Sequence, residues 1–412
     1  MVEGRTGYPL AGGRAFSPCY AQHKRKITMQ YIFVNSAPGP RWKQNDPNSV
    51  NDTLFREPLD AIGEKGTTER RLGLAFILSY LDGQTDVLEQ SLRRLLALAE
   101  KHDTPVLIAL DGENWWGGRP DLWNWFDKTK PGYDPANREN VEWTDWNPET
   151  AVKICWRNWG RQIRVLPAPN LASPRFREVS RVPLAHLAGV IKSWGDGLPK
   201  EKHYLYPGIK VGWEASVGIN AYHYPDGNRY LEADASKDPT TGLKMRQDFA
   251  GGLVPLGYAA LTSKGWKHSS PVTLADQERI TADYLSFVVD VCRRAGITRT
   301  KLFTHSGGQF APWEKHYSHR VAINRNAIPG WSLYGHTPEQ AGDLQAVMSQ
   351  ARIDDWCAAE WLPNARTADE WAKAYNDVLQ FRKCHFVDLY NWEGIRGKPE
   401  AIEGLRRALK AV

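Results

Sequence analysis

Short runs of apolar and β-branched residues recur along the chain at 27–35, 71–80, 104–110, 208–214, 300–306, 327–335, 355–361 and 385–393. Several show no alternation of apolar and polar positions, which is the pattern of strands covered on both faces and so of a parallel sheet. Between the runs the spacing changes to that of helices. Residues 85–102 put Leu88, Leu92, Leu95, Leu96 and Ala99 on one stripe. The segment 273–296 opens on a Thr cap and closes on Gly296. Residues 337–352 carry Thr337 as cap, Pro338 at the first helical position and Gln340 to complete a capping box. Thr367 and Glu370 repeat that arrangement in 367–382, and 398–412 reads as a last helix.

Eight strands alternating with helices predict an α/β fold, a (β/α)8 TIM barrel over 27–412, with 1–26 as an N-terminal extension and long loops after strands three and four. Two stretches depart from that pattern. No helical period is visible at 309–326, and 39–70 reads as irregular. A doubly wound open sheet is the alternative, but the first strand lacks the glycine-rich turn of its nucleotide-binding members, and there is no P-loop.

Composition removes several function classes. The 412 residues are 42% hydrophobic and 24% charged, enough for a large core. The net charge of +6 is small, and Lys and Arg are dispersed apart from 23–26, so no nucleic-acid partner is expected. No apolar run reaches the roughly 18 residues of a membrane span. Five cysteines lie far apart, with no CxxC and no HxH spacing, so neither a disulfide framework nor a metal site is expected. No PLP, flavin or nicotinamide signature is visible, and no cofactor is expected. The N-terminal stretch lacks the apolar centre of a signal peptide, which leaves the localisation open between the cytoplasm and, if a leader has been trimmed, the periplasm or exterior.

In a barrel, polar residues at strand ends line the active-site mouth. Glu214 ends the fourth run and Glu360 the seventh, and these strands lie nearly opposite each other. Cleavage of a glycosidic bond needs this pairing, because one carboxylic acid protonates the departing oxygen while a second carboxylate meets the anomeric carbon. The pair resembles that of the clan A glycoside hydrolases, retaining barrel enzymes. The resemblance implies acid/base chemistry for Glu214 and a nucleophile's role for Glu360. It also implies that Tyr334 hydrogen-bonds the nucleophile and that Trp392 is a sugar platform. One position departs from the family pattern: Trp213 stands where many members carry Asn, so the contact to the sugar 2-hydroxyl falls to Asn220 or Asn114.

The stretch 110–127 adds Asp111, Glu113, Asn114, Trp115 and Trp116, and six of the 18 tryptophans fall between 115 and 146. Indole faces suit the C–H face of a pyranose, and about half of these rings are expected to pack beneath the loop instead. Trp361, beside Glu360, together with His305 and Glu393, completes the candidate binding set. The leading expectation is a retaining glycoside hydrolase for a β-linked sugar, of β-galactosidase or β-glucosidase type, whose partner is a carbohydrate. Three alternatives stand beside it: a barrel that binds carbohydrate without catalysis, an inverting enzyme using Asp111 or Glu113 with Glu214, and a metal-dependent hydrolase drawing on Asp111, Glu113, His305, Glu360 and Asp388.

Overall fold

The computed structural model describes residues 29–158, 162–217, 254–307 and 317–411. Eight parallel strands close into a barrel: β1 Gln30–Ser36, β2 Arg70–Ser79, β3 Val106–Asp111, β4 Ile209–Ala215, β5 Leu302–Ser306, β6 Gly330–Tyr334, β7 Asp355–Leu362 and β8 Lys383–Leu389. The order around the barrel is β1-β8-β7-β6-β5-β4-β3-β2. Among the described residues, the seven helices of eight residues or more around it are α1 Asp52–Ile62, α2 Thr85–His102, α3 Pro174–Gly197, α4 Leu274–Arg294, α5 Leu344–Ala351, α6 Ala368–Gln380 and α7 Pro399–Lys410. A small antiparallel hairpin, Cys155–Asn158 with Gln162–Val165, decorates the connection after β3. No helix among the described residues is long and apolar enough to cross a membrane.

The α2 stripe forms as its spacing requires, with Leu88, Leu92, Leu95, Leu96 and Ala99 all buried. Capping boxes open α4 (Thr273 with Asp276) and α6 (Thr367 with Glu370). Three differences from the sequence reading have local causes. Residues 39–70 are not irregular throughout, because α1 starts on the Asn51 cap and stops at Gly63 in the left-handed region; Pro58 interrupts its propensity. A second unread helix, α3, carries Pro183 in its middle yet buries Phe176, Leu184, Leu187, Ala188 and Ile191. The helix expected from 337 starts only at Leu344. Thr337 and Gln340 form a turn there, with the Gln340 N–H on the Thr337 carbonyl at 3.0 Å, and Gly342 at φ +47° diverts the chain before α5. Between β5 and β6 the described residues hold a single 3₁₀ turn, His319–Ala322, and no α-helix.

Inside the barrel, Tyr31, Phe33, Ala75, Leu107, Phe303, Ile328, Cys357, Ala359 and Phe386 form an apolar plug. Nearer the carboxyl ends of the strands the filling changes to Lys210, Asp388 and Asn35, all fully buried. A small apolar group, Ile77, Ala109 and Trp213 with Ala37, Trp115 and Tyr390, borders the mouth.

Candidate active site at the carboxyl end of the barrel

β4 delivers Glu214 on a backbone at φ +53°, a left-handed conformation that a residue with a Cβ adopts only at a cost of about 1–3 kcal/mol and that clusters at functional sites. Glu214 is 4% exposed and Glu360 2%. From β6, the Ser332 hydroxyl donates to Glu214 Oε1 at 2.7 Å. The Tyr334 hydroxyl lies 3.0 Å from Glu214 Oε1 and 2.5 Å from Glu360 Oε1, so its one proton is offered to two carboxylates. Trp213 Nε1 donates to Glu360 Oε2 at 2.7 Å. His305 Nε2 meets the Ser332 hydroxyl at 2.8 Å, and ligand-type atoms of Glu214, His305 and Glu360 lie within 4.8 Å of one another.

Burial sets the electrostatics. It pushes the Glu360 carboxyl up to about 8, with the charge of Glu214 acting in the same direction and Lys210 and Tyr334 opposing. Burial and the two carboxylates hold the Tyr334 phenol well above its usual range. Burial and then the charge of Lys210 hold His305 well below the usual imidazole range, so it is neutral. Of the groups that a metal reading would require, only His305 and Glu360 come together here, joined by Glu214. Hydroxyl donors already sit on these carboxylates, an arrangement better suited to a shared proton than to a cation.

The loop after β3 supports the site from behind. Glu113 Oε1 accepts the Trp213 N–H at 3.0 Å, and its Oε2 accepts the Tyr284 hydroxyl at 2.8 Å and the Gly112 N–H at 3.2 Å. Asn114 Nδ2 donates to the Trp213 carbonyl at 2.5 Å and to Asp111 Oδ1 at 3.1 Å, while Asp111 Oδ2 accepts from the Ser79 hydroxyl. Asp111, Glu113 and Asn114 thus fix the peptide of Trp213, and Glu360 is the carboxylate that faces Glu214.

The aromatic candidates divide. Trp115 is half-buried at the mouth, its ring 6.5 Å from that of Trp213. Trp116 is 1% exposed and packs edge-on against Phe176, so its ring lies beneath the loop and not at the mouth. Trp123 and Trp143 are buried as well, so half of the six rings between 115 and 146 pack inside. Trp361 corrects a second expectation: successive strand residues face opposite sides, and it points outward against Trp371 and Tyr375. Trp392 is 1% exposed with Nε1 on Glu57 at 3.2 Å, which leaves no indole face open as a platform. Glu393 pairs with Arg41 at 3.1 Å. Asn220 lies outside the described residues. Three residues escaped the sequence reading: Ser332, Lys210 and Tyr390. Tyr390 packs against the apolar group that contains Trp213, and its phenol is pushed up to about 12 by burial and then by Glu360. Its place just past β8 is the sequence signal that marks it.

Fold and site together define a class, a closed (β/α)8 barrel with two hydrogen-bonded glutamates at its carboxyl mouth. No family model and no curated protein matches the sequence. Among solved structures the chain is similar to GH26A from Muricauda sp. MAR_2010_75, at 10% identity and a TM-score of 0.42 over 91% of this chain and 88% of that one. It is also similar to a glycoside hydrolase family 5 enzyme from Prevotella bryantii B14, at 9% identity and a TM-score of 0.40 over 93% and 97%. A third is morphinone reductase in complex with tetrahydroNAD, at 10% identity and a TM-score of 0.40 over 91% and 86%.

Proposed function

We propose that the protein is a retaining glycoside hydrolase that cleaves a β-linked sugar, of exo-acting β-galactosidase or β-glucosidase type. The observation that carries this reading is the Tyr334 hydroxyl within hydrogen-bond distance of both Glu214 and Glu360. Carboxylate oxygens of the two lie within 4.8 Å of each other, which supports the separation of about 5–5.5 Å used for double displacement over the about 6.5–9.5 Å that inversion requires.

At neutral pH the two acids hold one proton between them, since burial and mutual repulsion oppose a double negative charge. Trp213 Nε1–H and Tyr334 O–H both point at Glu360 and stabilise it as the anion when the proton rests on Glu214. Glu360 then attacks the anomeric carbon as Glu214 gives its proton to the leaving oxygen. Glu214, now a carboxylate, takes a proton from the water that cleaves the glycosyl ester and regenerates Glu360.

The test is a panel of nitrophenyl β-glycosides, with the anomer of the first product followed by proton NMR. Glu360→Gln lowers turnover by about 10³-fold or more on every substrate that the wild type cleaves. Glu214→Gln does so for sluggish leaving groups but spares the first step with 2,4-dinitrophenolate, which needs no proton. A product of inverted configuration, or near-wild-type turnover in both variants, overturns the proposal.

A further inference from the structure

Four residues before Glu214, Lys210 points into the barrel. Its Nζ donates to Asp388 Oδ2 at 2.7 Å and to the carbonyl of Ala359 at 2.6 Å. Asn35 Nδ2 donates to the same Asp388 oxygen at 3.0 Å. Lys210 and Asp388 are both wholly buried, above the apolar plug and below the carboxylate pair. Ala359 is the residue before Glu360, so this ammonium grips the peptide that presents the proposed nucleophile.

Such a pair is a poor way to stabilise a core. Desolvating two ions costs several kcal/mol each, and apolar residues of similar volume often serve as well or better. The network is also incompletely satisfied, because Asp388 Oδ1, Asn35 Oδ1 and His305 Nδ1 have no hydrogen-bond partner among the described residues. Packing alone does not explain an ion pair here, whereas a role in the chemistry above it does.

We propose that Lys210 is a positioning residue for Glu360: it fixes the Ala359 peptide and, paired with Asp388, sets its ammonium group beneath the two glutamates. The inference rests on the glycosidase reading only in its kinetic arm. Among the described residues, the titratable and charged groups facing Glu360 are Glu214 and Lys210 from β4, His305 from β5, Tyr334 from β6, Asp388 from β8 and Tyr390 just beyond it. Among these, Lys210 is the cation that favours an ionised Glu360, while Asp388 and Glu214 act against ionisation. Removing Lys210 and removing Asp388 therefore have opposite signs, which a purely structural role would not produce.

The experiment titrates protein labelled with carboxyl-¹³C glutamate, the Glu360 signal being assigned by its loss in Glu360→Gln. Lys210→Met raises the Glu360 midpoint by about one pH unit, a tenfold change in its ionised fraction, and Asp388→Asn lowers it. The double variant K210M/D388N falls between the two. Midpoints that do not move in folded variants, or that move in the same direction, overturn the proposal. If K210M does not fold by near-ultraviolet circular dichroism, Asp388→Asn decides alone: a lowered midpoint supports the role and an unmoved or raised one ends it. In the kinetic arm, with 2,4-dinitrophenyl β-glucoside and β-galactoside, the acid limb of kcat/KM moves with the same signs while KM stays near wild type. If the midpoints move in opposite directions but wild type hydrolyses neither substrate, the role of Lys210 stands and the glycosidase reading fails.

Discussion

Tyr334 has one proton and two carboxylate neighbours, which makes its replacement informative. Tyr334→Phe keeps the ring and removes the donor, so Glu360 loses a hydrogen bond that favours its anion. Its acid limb moves to higher pH, and kcat falls by about 10²-fold, comparable to the loss of one oriented donor in other active sites. A pH–rate profile with an unmoved acid limb would contradict this. Glu214, Glu360 and Tyr334 were legible in the sequence because each closes an apolar run. Ser332 and Lys210 were not, because their importance depends on which face of the strand looks inward, and a bulge in β4 between Val211 and Ala215 disturbs the simple alternation. Trp361 and Trp392 misled for the converse reason. Proximity in sequence to a reactive residue does not put a side chain on the same face.

At the scale of elements, caps made helices readable. Thr367 Oγ1 accepts the Glu370 N–H at 3.2 Å, and Glu370 Oε2 accepts the Thr367 N–H at 3.1 Å. Thr367→Ala costs about 1 kcal/mol of stability, and Thr367→Ser restores most of it. The readout is the midpoint of urea unfolding, with the slope unchanged. Where the sequence reading failed, a proline or glycine stood in the way. Pro58 and Pro183 lie inside α1 and α3, whose buried faces outweigh the lost backbone hydrogen bond. Gly342 had the opposite effect: the Thr337–Gln340 motif looked like a helix start, but the chain turns before α5. All eight strands were visible because a parallel barrel buries both faces of each, leaving continuous apolar runs.

For the molecule as a whole, the loops after β3 and β4 are tied by a buried acid that no motif or periodicity marks. Glu142 Oε2 accepts the N–H groups of Gly257 at 2.9 Å and Ala259 at 3.2 Å, at the start of a short helix, Tyr258–Ser263. Burial outweighs these donors and pushes its carboxyl from 4.5 up to about 8. The folded chain therefore keeps a proton that the unfolded chain releases above about 4.5, so stability falls as pH rises from about 5 to about 8. The proton shared by Glu214 and Glu360 acts in the same direction. Calorimetry across that range should show a declining Tm, and Glu142→Gln should flatten part of the decline. A Tm that rises over the interval would refute this assignment.

Trp213 is held at three points from three directions: its amide by Glu113, its carbonyl by Asn114, its indole by Glu360. Alignment of the two acids is in this way decoupled from the outer reaches of the loops. The surface beyond residue 116 can therefore vary, provided that Glu113 and Asn114 are kept, while the two carboxylates below stay in register.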